Sequence, residues 1–249
     1  MSTAPLFLVD ALPPAGTLWL DGPEGRHAAT VKRLRVGEGV RLGDGRGGLA
    51  RAVVVSTGRD RVQLEIVERC DVPAPRLRVV LAQALVKGDR GELAVELATE
   101  AGVDEVLPWR AARCVARWED GPRGEKALGR WRATVREAAK QARRPWTPPV
   151  GEPVATAALA RRVGAATAAL VLHESAEHGL GPDALPEKGE LLLVVGPEGG
   201  ITDEELATLS AAGALPVRLG PEVLRASTAA AVALGAIGAL TARWSPSPR

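Results

Sequence analysis

The sequence predicts an α/β protein in which a small domain of short strands precedes a larger domain built on a parallel sheet. Two observations predict this class. Short β-rich segments separated by glycines fill the first seventy residues, whereas strand-like and helix-like segments alternate after a proline-containing linker at residues 71–75. In addition, residues 191–195 form a run of five apolar residues, which is typical of a parallel strand that is buried on both faces.

The first part of the chain predicts three strands, at residues 40–42, 50–55 and 61–67. Strands of this length and spacing favour closure into a small β-barrel. The loop at residues 43–48 matches the dinucleotide-binding pattern G-x-G-x-x-G. However, the residues after it continue as a strand, whereas a pyrophosphate site requires a helix there, so we interpret this loop as a hairpin connection.

We predict a domain boundary within the linker, with one domain over residues 1–73 and a second over residues 74–249. In the second domain, the spacing of apolar residues predicts alternating strands and helices. The predicted strands are at residues 77–85, 104–107, 168–172, 191–195 and 216–219, and the predicted helices are at residues 91–101, 125–143 and 227–242. The last of these helices is apolar nearly all round, which predicts that it is buried on several sides, in the sheet packing or at a subunit interface.

The helix at residues 125–143 is amphipathic, with a row of cations on its polar face. Its inner face would carry Trp131, Val135, Ala138 and Ala142, and its outer face Arg132, Arg136 and Lys140. Like charges four residues apart repel each other, so helix stability does not explain the row. A polyanion opposite this face would explain it.

Residues 191–205 combine a buried strand, a glycine turn with the sequence GPEGG, and the start of a helix. Thr202 and Glu205 have the spacing of a T-x-x-E capping box, which predicts a helix beginning at Asp203. Such a turn places backbone N–H groups and a crevice at the carboxyl end of a strand, where open α/β sheets bind their ligands. For the turn alone, a tight connection without a ligand is an equal alternative. A second stretch, LGPEVLRASTA at residues 219–229, favours a site.

Charge and composition limit the classes of protein that the chain can belong to. Residues 1–75, 76–150 and 151–249 have net charges of +1, +5 and −4, and this asymmetry suggests a polyanionic partner for the first 150 residues. The asymmetry alone is also compatible with an ordinary solvated surface. An apolar run of 18 residues is absent, as is a basic segment before an apolar one, so we predict neither a membrane span nor a signal peptide. Cys70 and Cys114 match no metal-binding spacing, which predicts reduced thiols in the cytoplasm and no metal site.

Four stretches of the sequence together resemble one family. They are His27 with KRLRVG at residues 32–37, KGDR with ELATEAGV within residues 87–103, RW with EAAKQARR within residues 130–144, and the pair VGPEGGIT and LG…LRASTA within residues 195–229. In order and spacing they resemble the RsmE-type ribosomal RNA methyltransferases of the SPOUT superfamily, over nearly the whole chain. Ser227 departs from the family, which usually has an acidic residue there.

The resemblance implies a fold and a function. The fold would be a SPOUT-type parallel sheet with a C-terminal trefoil knot, preceded by a small PUA-like β-barrel that binds RNA. The enzyme would methylate N3 of a uridine in small-subunit (16S) ribosomal RNA, with S-adenosyl-L-methionine as the methyl donor. It would act as a homodimer with the site at the subunit interface, in the cytoplasm and without a metal.

The resemblance also implies which residues bind the cofactor. Three loops would hold it, one after each of three predicted strands. They map to Leu172, His173 and Glu174; to Val195, Gly196, Pro197, Glu198, Gly199 and Gly200; and to Leu219, Gly220, Leu224, Arg225, Ser227, Thr228 and Ala229. Glycines allow the backbone to approach a ligand without a Cβ atom in the way.

Uridine N3 carries a proton that has to leave before or during methyl transfer, so a base or a group that stabilises the uridine anion is needed. We predict that Arg225 holds O2 or O4 of the developing anion and that Glu198 is the base. For Glu198, a hydrogen bond to the loop backbone is at least as good an explanation. Glu137 is a second candidate base, although an ion pair with the arginines of its helix explains it better. RNA phosphates would contact Lys32, Arg33, Arg35, Lys87, Arg90, Lys140, Arg143 and Arg144.

Three alternatives remain at the level of the sequence. A related SPOUT enzyme could methylate another RNA position, such as a tRNA nucleotide or a ribose 2′-OH. A P-loop phosphohydrolase would need a lysine after the glycine turn, and residues 200–202 read Gly-Ile-Thr. A non-catalytic RNA-binding protein would bind RNA without binding the cofactor.

Overall fold

The computed structural model describes residues 4–245, which form two compact units. One comprises the described residues up to Ala74 together with Ala139–Thr147, and the other comprises Pro75–Ala138 and the described residues from Pro148 onward. A single cut in the sequence therefore does not separate the two units. The predicted division into a domain over residues 1–73 and a second domain over residues 74–249 stays a prediction.

The first unit is built on a five-stranded sheet. Its strands are β1 (Leu6–Leu8), β2 (Gly16–Leu20), β3 (Gly39–Gly43), β4 (Gly48–Thr57) and β5 (Val62–Asp71). They are arranged in the order β1-β3-β4-β5-β2, with β1 parallel to β3 and the other pairs antiparallel. Phe7, Leu42 and Leu64 are fully buried in one apolar core. The three strands predicted in this part are confirmed, and the loop between β3 and β4 is a hairpin connection.

Two strands and a helical segment of this unit were not predicted. Strand β1 has only three residues, too few for a periodic pattern, and most of β2 is exposed at an end of the sheet. Helix α1 (Gly22–Arg26) is continued by a π-helical turn, His27–Val31. Lys32, Arg33 and Arg35 therefore lie in the loop that follows this turn.

The second unit contains a six-stranded sheet in which every neighbouring pair is parallel, as predicted. Its strands are β6 (Leu77–Ala84), β7 (Glu105–Arg110), β8 (Val154–Ala155), β9 (Ala168–Leu172), β10 (Gly189–Val195) and β11 (Leu215–Val217), in the order β11-β9-β10-β6-β7-β8. The helices are α2 (Arg90–Glu100), α3 (Pro122–Gln141), α4 (Thr156–Ala165), α5 (Asp203–Ala211) and α6 (Ala226–Leu240), and the last three residues of α3 are counted with the first unit. Of these elements, only β8 and α4 had no counterpart in the sequence-based prediction.

Strand β10 lies inside this sheet and is apolar because both of its faces are covered. Leu191, Leu193 and Val195 face one apolar cluster, whereas Leu192 and Val194 face another on the opposite side of the sheet. All five side chains are at most 2% exposed. The prediction of a strand buried on both faces is confirmed.

Helix α5 begins as the capping box predicts. Thr202 Oγ1 accepts a hydrogen bond from the backbone N–H of Glu205 at 3.2 Å, and Glu205 Oε2 accepts one from the backbone N–H of Thr202 at 3.3 Å. These two bonds satisfy N–H groups that have no partner within the helix. They also fix the point at which the chain leaves the glycine turn.

Intramolecular carboxylates account for two of the three cations in the row on α3. Arg132 pairs with Glu152 at 2.8 Å. Lys140 pairs with Glu24 at 2.8 Å, and only 11% of its side chain is exposed. A polyanion is therefore not needed to explain these two residues. The predicted inner face is confirmed for Trp131, Val135 and Ala138, but Ala142 lies after the end of the helix and is exposed, so its placement was wrong.

Helix α6 is buried on one side within a single copy of the chain. Ala230, Ala233, Leu234 and Ile237 pack into the core. On the opposite side Val232 and Leu240 are exposed, although the helix has no charged residue between Ala226 and Leu240. Among the described residues, no helix is long and apolar enough to cross a membrane.

A short turn after α6, Ala242–Trp244, attaches the end of the chain to the sheet. Arg243 Nη1 lies 2.8 Å from Asp104 Oδ2 and also donates to the carbonyl of Leu77, and Nη2 donates to the carbonyl of Gly102. The side chains of Arg243 and Asp104 are 12% and 10% exposed. Because both charges are almost buried, each depends on the other for compensation.

We expect Arg243→Ala to lower the free energy of unfolding of the second unit by about 3 kcal/mol, because it leaves the Asp104 carboxylate nearly buried without its cation. Urea denaturation followed by the fluorescence of Trp109 and Trp131, both buried in this unit, would measure the change. The matched control is Arg130→Ala. Arg130 pairs with Glu92 at the same distance of 2.8 Å but is 57% exposed, so we expect a loss of less than about 1 kcal/mol. Equal losses in the two variants would contradict the role of Arg243.

Candidate functional site

The second unit has a cavity of about 620 Å³ at the carboxyl ends of its strands. Its walls are formed by the segments that follow β9, β10 and β11, together with Val86 just after β6. In parallel α/β sheets this edge is where ligands bind, and the volume is within the range of small-molecule and cofactor pockets. The site predicted at the glycine turn is therefore a real concave surface.

The glycine turn after β10 is shaped by close contacts. A Cβ atom on Gly196 would lie 2.6 Å from Cγ1 of Ile201, which is too close for any side chain to fit without a shift. Gly200 has a φ angle of +76°, a conformation that glycine adopts without strain. The N–H of Gly200 donates to the carbonyl of Pro197 at 2.9 Å, which closes the turn. The glycines thus let the backbone itself form a wall of the cavity.

The other two predicted loops form further walls. After β9, the backbone N–H of His173 donates to the carbonyl of Val217 at 3.0 Å, which joins this loop to the end of β11. The Nδ1 atom of His173 lies 2.9 Å from Ser175 Oγ. Arg225 precedes α6, and its carbonyl accepts bonds from the N–H groups of Thr228 at 2.8 Å and Ala229 at 2.9 Å. These bonds fix the direction in which the chain enters α6.

The structure brings nearly all of the predicted cofactor-binding residues together. All of them line the cavity except Gly220 and Thr228. A Cβ atom on Gly220 would meet its nearest neighbour, Glu222 Oε2, at an ordinary distance of 3.6 Å, so the fold does not require glycine there. Ser227, at the position where the resembled family has an acidic residue, is buried and lines the cavity.

Both predicted catalytic residues face the same cavity. Glu198 lies in the glycine turn, and its Oε1 atom is 3.4 Å from the backbone N–H of Lys87, a long hydrogen bond. Arg225 lines the cavity as well, at the N-cap of α6. Glu137 is exposed on α3 and is not among the cavity residues. The geometry therefore favours Glu198 over Glu137 as a group that could reach a bound substrate.

Comparison with known proteins identifies the family. A sequence model described as an RNA methyltransferase domain matches residues 73–238, and one described as an RNA methyltransferase PUA domain matches residues 20–67. The ribosomal RNA small subunit methyltransferase E of Mycobacterium bovis is 55% identical to this chain over 249 residues, which cover 98% of this chain and 95% of the relative. The chain belongs to the RsmE family of RNA methyltransferases.

Solved structures of similar proteins support the same assignment. The ribosomal RNA small subunit methyltransferase E of Neisseria gonorrhoeae, bound to S-adenosyl methionine, is 27% identical with a TM-score of 0.85, and the match covers 96% of this chain and 98% of that one. A methyltransferase of Legionella pneumophila, in complex with the cofactor SAM, is 28% identical with the same TM-score and the same coverage. The predicted RsmE resemblance and the PUA-like first domain are confirmed. The trefoil knot stays a prediction.

Several cavity residues of this RsmE-family chain were not predicted. Arg113, Asp203, Arg218 and Glu222 are the charged ones. Arg113 lies after β7, where the sequence has neither a glycine turn nor a recognised motif, and only the parallel pairing of β7 with β6 brings it to the same edge of the sheet. Strand order was the missing information.

Charges of both signs line the cavity in equal number. The cations are Arg90, Arg113, Arg218 and Arg225, and the anions are Glu174, Glu198, Asp203 and Glu222. Such a cavity offers counter-charges both to a cationic ligand and to an anionic one. No group of three potential metal ligands is found among the described residues 4–245.

The cations predicted to bind RNA lie in both units. In the first unit, Lys32, Arg33 and Arg35 are exposed. Arg33 and Arg143 have φ angles of 53° and 55°, a left-handed conformation that costs energy for a residue other than glycine. Lys140 is held by Glu24, as described above, which gives it a structural contact. Arg144 is half-buried, and in the second unit Lys87 and Arg90 are exposed, with Arg90 in the cavity wall.

The two cysteines have different surroundings. Cys70 is exposed on β5, whereas Cys114 is half-buried, with its Sγ atom 3.7 Å from the carbonyl of Trp109. Burial raises the pKa of the Cys114 thiol, and the nearby carboxylates of Glu205 and Glu198 raise it further. Cys114 is therefore a neutral thiol at physiological pH and packs as a small apolar residue.

Proposed function

We propose that this protein transfers the methyl group of S-adenosylmethionine to N3 of a uridine in small-subunit ribosomal RNA. One observation carries the proposal: a turn that needs glycine at Gly196 and Gly200 opens a cavity at the carboxyl ends of the parallel strands, in a chain of the RsmE family. The uridine N3 position rests on the resemblance of the four sequence stretches. The shape and charge of the cavity are compatible with it.

The residues present fit S-adenosylmethionine. The backbone at Gly196, Gly199 and Gly200 can approach a ligand closely, and the carboxylates of Glu174, Glu198, Asp203 and Glu222 supply negative charge to a ligand that carries a sulfonium and an ammonium group. When bound, the cofactor supplies an electrophilic methyl group. The protein's contribution to such a displacement is to align the acceptor nitrogen with that methyl group and to exclude competing acceptors.

The chain's own residues would handle the proton and the charge of the uracil. The bond from sulfur to the methyl carbon breaks as the bond from that carbon to N3 forms, and the N3 proton has to go to a base. In our proposal Glu198 accepts this proton, because it lies in the cavity wall and, within residues 4–245, its one hydrogen bond is a long bond from the backbone of Lys87. Arg225 donates hydrogen bonds to the uracil oxygen on which negative charge develops.

RNA binding would rest on phosphate contacts and on a single extruded base. The cations that we assign to phosphates are Lys32, Arg33, Arg35, Lys87, Arg90, Arg143 and Arg144, and Lys140 serves mainly as the partner of Glu24. Cations supply affinity for the backbone, whereas a uracil turned out of its stack can enter a cavity that a duplex cannot. Because its substrate is ribosomal RNA, we place the reaction in the cytoplasm.

We further propose that the protein is a homodimer whose interface includes α6. The exposed side of this helix carries Val232, Ala239 and Leu240 without any charge, as expected for a helix that meets another apolar surface. The start of the same helix lines the cavity, so a partner on α6 would lie near the site. The knotted path of the chain around residues 219–229 is part of this proposal and rests on the family resemblance.

We expect the purified protein to transfer a labelled methyl group from S-adenosylmethionine to small ribosomal subunits from a strain that lacks the activity. After digestion of the RNA to nucleosides, the label should elute as N3-methyluridine. A label on a ribose or on another base would overturn the N3 assignment and leave an RNA methyltransferase. Absence of cofactor binding, measured by calorimetry, would contradict the enzymatic proposal as a whole.

We expect Glu198→Gln to lower kcat by about 100-fold or more, because general-base catalysis contributes about 10²–10⁴ to a rate. The dissociation constant for S-adenosylmethionine should rise much less than kcat falls, because the carboxylates of Glu174, Asp203 and Glu222 still face the ligand. Glu222→Gln is the matched control, because Glu222 lines the same cavity. Equal kcat values in both variants and the unaltered protein would rule out Glu198 as the base.

We expect Val232→Asp to convert the dimer into a monomer, because each subunit would bury one unpaired charge in the interface. Size-exclusion chromatography with light scattering would measure the mass. Val67→Asp serves as the control, since Val67 is also exposed but lies on β5 of the first unit. A monomeric unaltered protein, or a dimeric Val232→Asp variant, would contradict the α6 interface.

A further inference from the structure

Arg113 is joined to the glycine turn although it lies almost ninety residues earlier in the chain. Its Nη1 atom donates to the carbonyl of Gly199 at 3.2 Å. A Cβ atom on Gly199 would lie 3.1 Å from Cβ of Arg113 and 3.2 Å from its carbonyl oxygen, so the two backbones pack against each other. The segment after β7 thus forms a fourth wall of the cavity.

A buried carboxylate holds this fourth wall in place. Glu205 Oε1 accepts hydrogen bonds from the backbone N–H of Ala112 and from Thr156 Oγ1, both at 2.9 Å, and Trp109 Nε1 in turn donates to Thr156 Oγ1 at 3.2 Å. The other oxygen of Glu205 caps α5 at Thr202. Glu205 is 7% exposed, so these bonds form away from water, where they constrain geometry strongly. One carboxylate therefore fixes both the glycine turn and the residue next to Arg113.

The guanidinium of Arg113 retains donors for a ligand. It has five N–H groups, of which one is bonded to Gly199. Within residues 4–245, Arg113 forms no ion pair, whereas Arg110, three residues earlier, pairs with Asp120 at 3.0 Å. Arg113 is exposed and lines the cavity. A cation that is anchored by a single bond, has no carboxylate partner and faces a cavity is well placed for an anionic ligand.

We propose that Arg113 is a further substrate-binding residue, which contacts an anionic oxygen of the target uridine nucleotide, and that Glu205 is its positioning residue. The proposal rests on the proposed function. The anionic oxygen has two possible sources, the phosphate of the nucleotide and the uracil oxygen that gains charge when N3 loses its proton. A phosphate contact acts in binding, whereas a uracil contact acts in the chemical step, so kinetics separate the two.

The test compares Arg113→Ala with the unaltered protein. The control is Arg117→Ala, since Arg117 is exposed on the same segment and does not line the cavity. With a phosphate contact, we expect the KM for small ribosomal subunits to rise about tenfold at an unchanged kcat, and the slope of log KM against log salt to fall by about one. With a uracil contact, kcat falls about tenfold or more, and the pH at which the rate is half-maximal moves upward, because the uridine anion loses a stabilising cation.

Two results would overturn the proposal. In one, Arg113→Ala behaves like Arg117→Ala in all of these measurements. In the other, only the dissociation constant for S-adenosylmethionine rises, which would limit Arg113 to supporting the glycine turn. Binding of RNA in the presence of S-adenosylhomocysteine, which has no methyl group to transfer, is measured in parallel. A protein that binds RNA through Arg113 but transfers no methyl group would refute the proposed function and leave this inference standing.

The role of Glu205 is tested by a double-mutant cycle with Glu205→Gln. Arg113→Ala will change either KM or kcat, and the cycle follows that constant. If Glu205 acts on the substrate by positioning Arg113, Glu205→Gln should change this constant in the unaltered protein but not in the Arg113→Ala variant. Arg113→Lys, which keeps the charge but lacks the planar fork, should restore part of a phosphate contact. If the double variant instead changes the constant by the product of the two single-variant factors, Glu205 stabilises the fold and does not act through Arg113.

Discussion

The site depends on a constraint that acts on β10: a strand inside a parallel sheet, covered on both faces, strongly favours apolar side chains. Leu191–Val195 obey this constraint completely. Polar groups for a ligand must therefore come from the segments that follow the strands, and these segments meet at one edge because all the strands are parallel. The glycine turn, the loop after β9 and the segment before α6 gather around one cavity for this reason.

The elements that could be predicted from sequence are those in which a local pattern of residues has a single structural explanation. The apolar run predicted β10, and the spacing of Thr202 and Glu205 predicted the first residue of α5. Short or irregular elements were missed, such as the three residues of β1, because a periodic pattern cannot develop in them. Arg113 was missed for a different reason: its place in the cavity depends on the order of the strands, which the chain specifies only through packing.

The basic row on α3 shows why charge patterns are difficult to interpret from sequence. Repulsion between Arg132, Arg136 and Lys140 suggested an external polyanion, but Glu152 and Glu24 compensate two of the three. Glu24 lies more than a hundred residues from Lys140 in the chain, so no local pattern could have indicated the pair. The same reasoning makes an uncompensated cation in a cavity wall informative once a structure is known, because other arginines of this unit, such as Arg110 and Arg130, have carboxylate partners.

The contrast between Glu198 and Glu205 illustrates how neighbouring carboxylates can differ in their freedom to meet a ligand. Glu205 is buried and accepts bonds from two backbone N–H groups and two hydroxyls, so it can hold its neighbours but has no capacity left for a substrate. Glu198 is exposed and has one long backbone bond, so it can change partners when a substrate enters. Glu205 fixes the start of the helix that follows the turn containing Glu198. Because Glu205 is held rigidly, Glu198 can be positioned accurately although its own backbone bond is long.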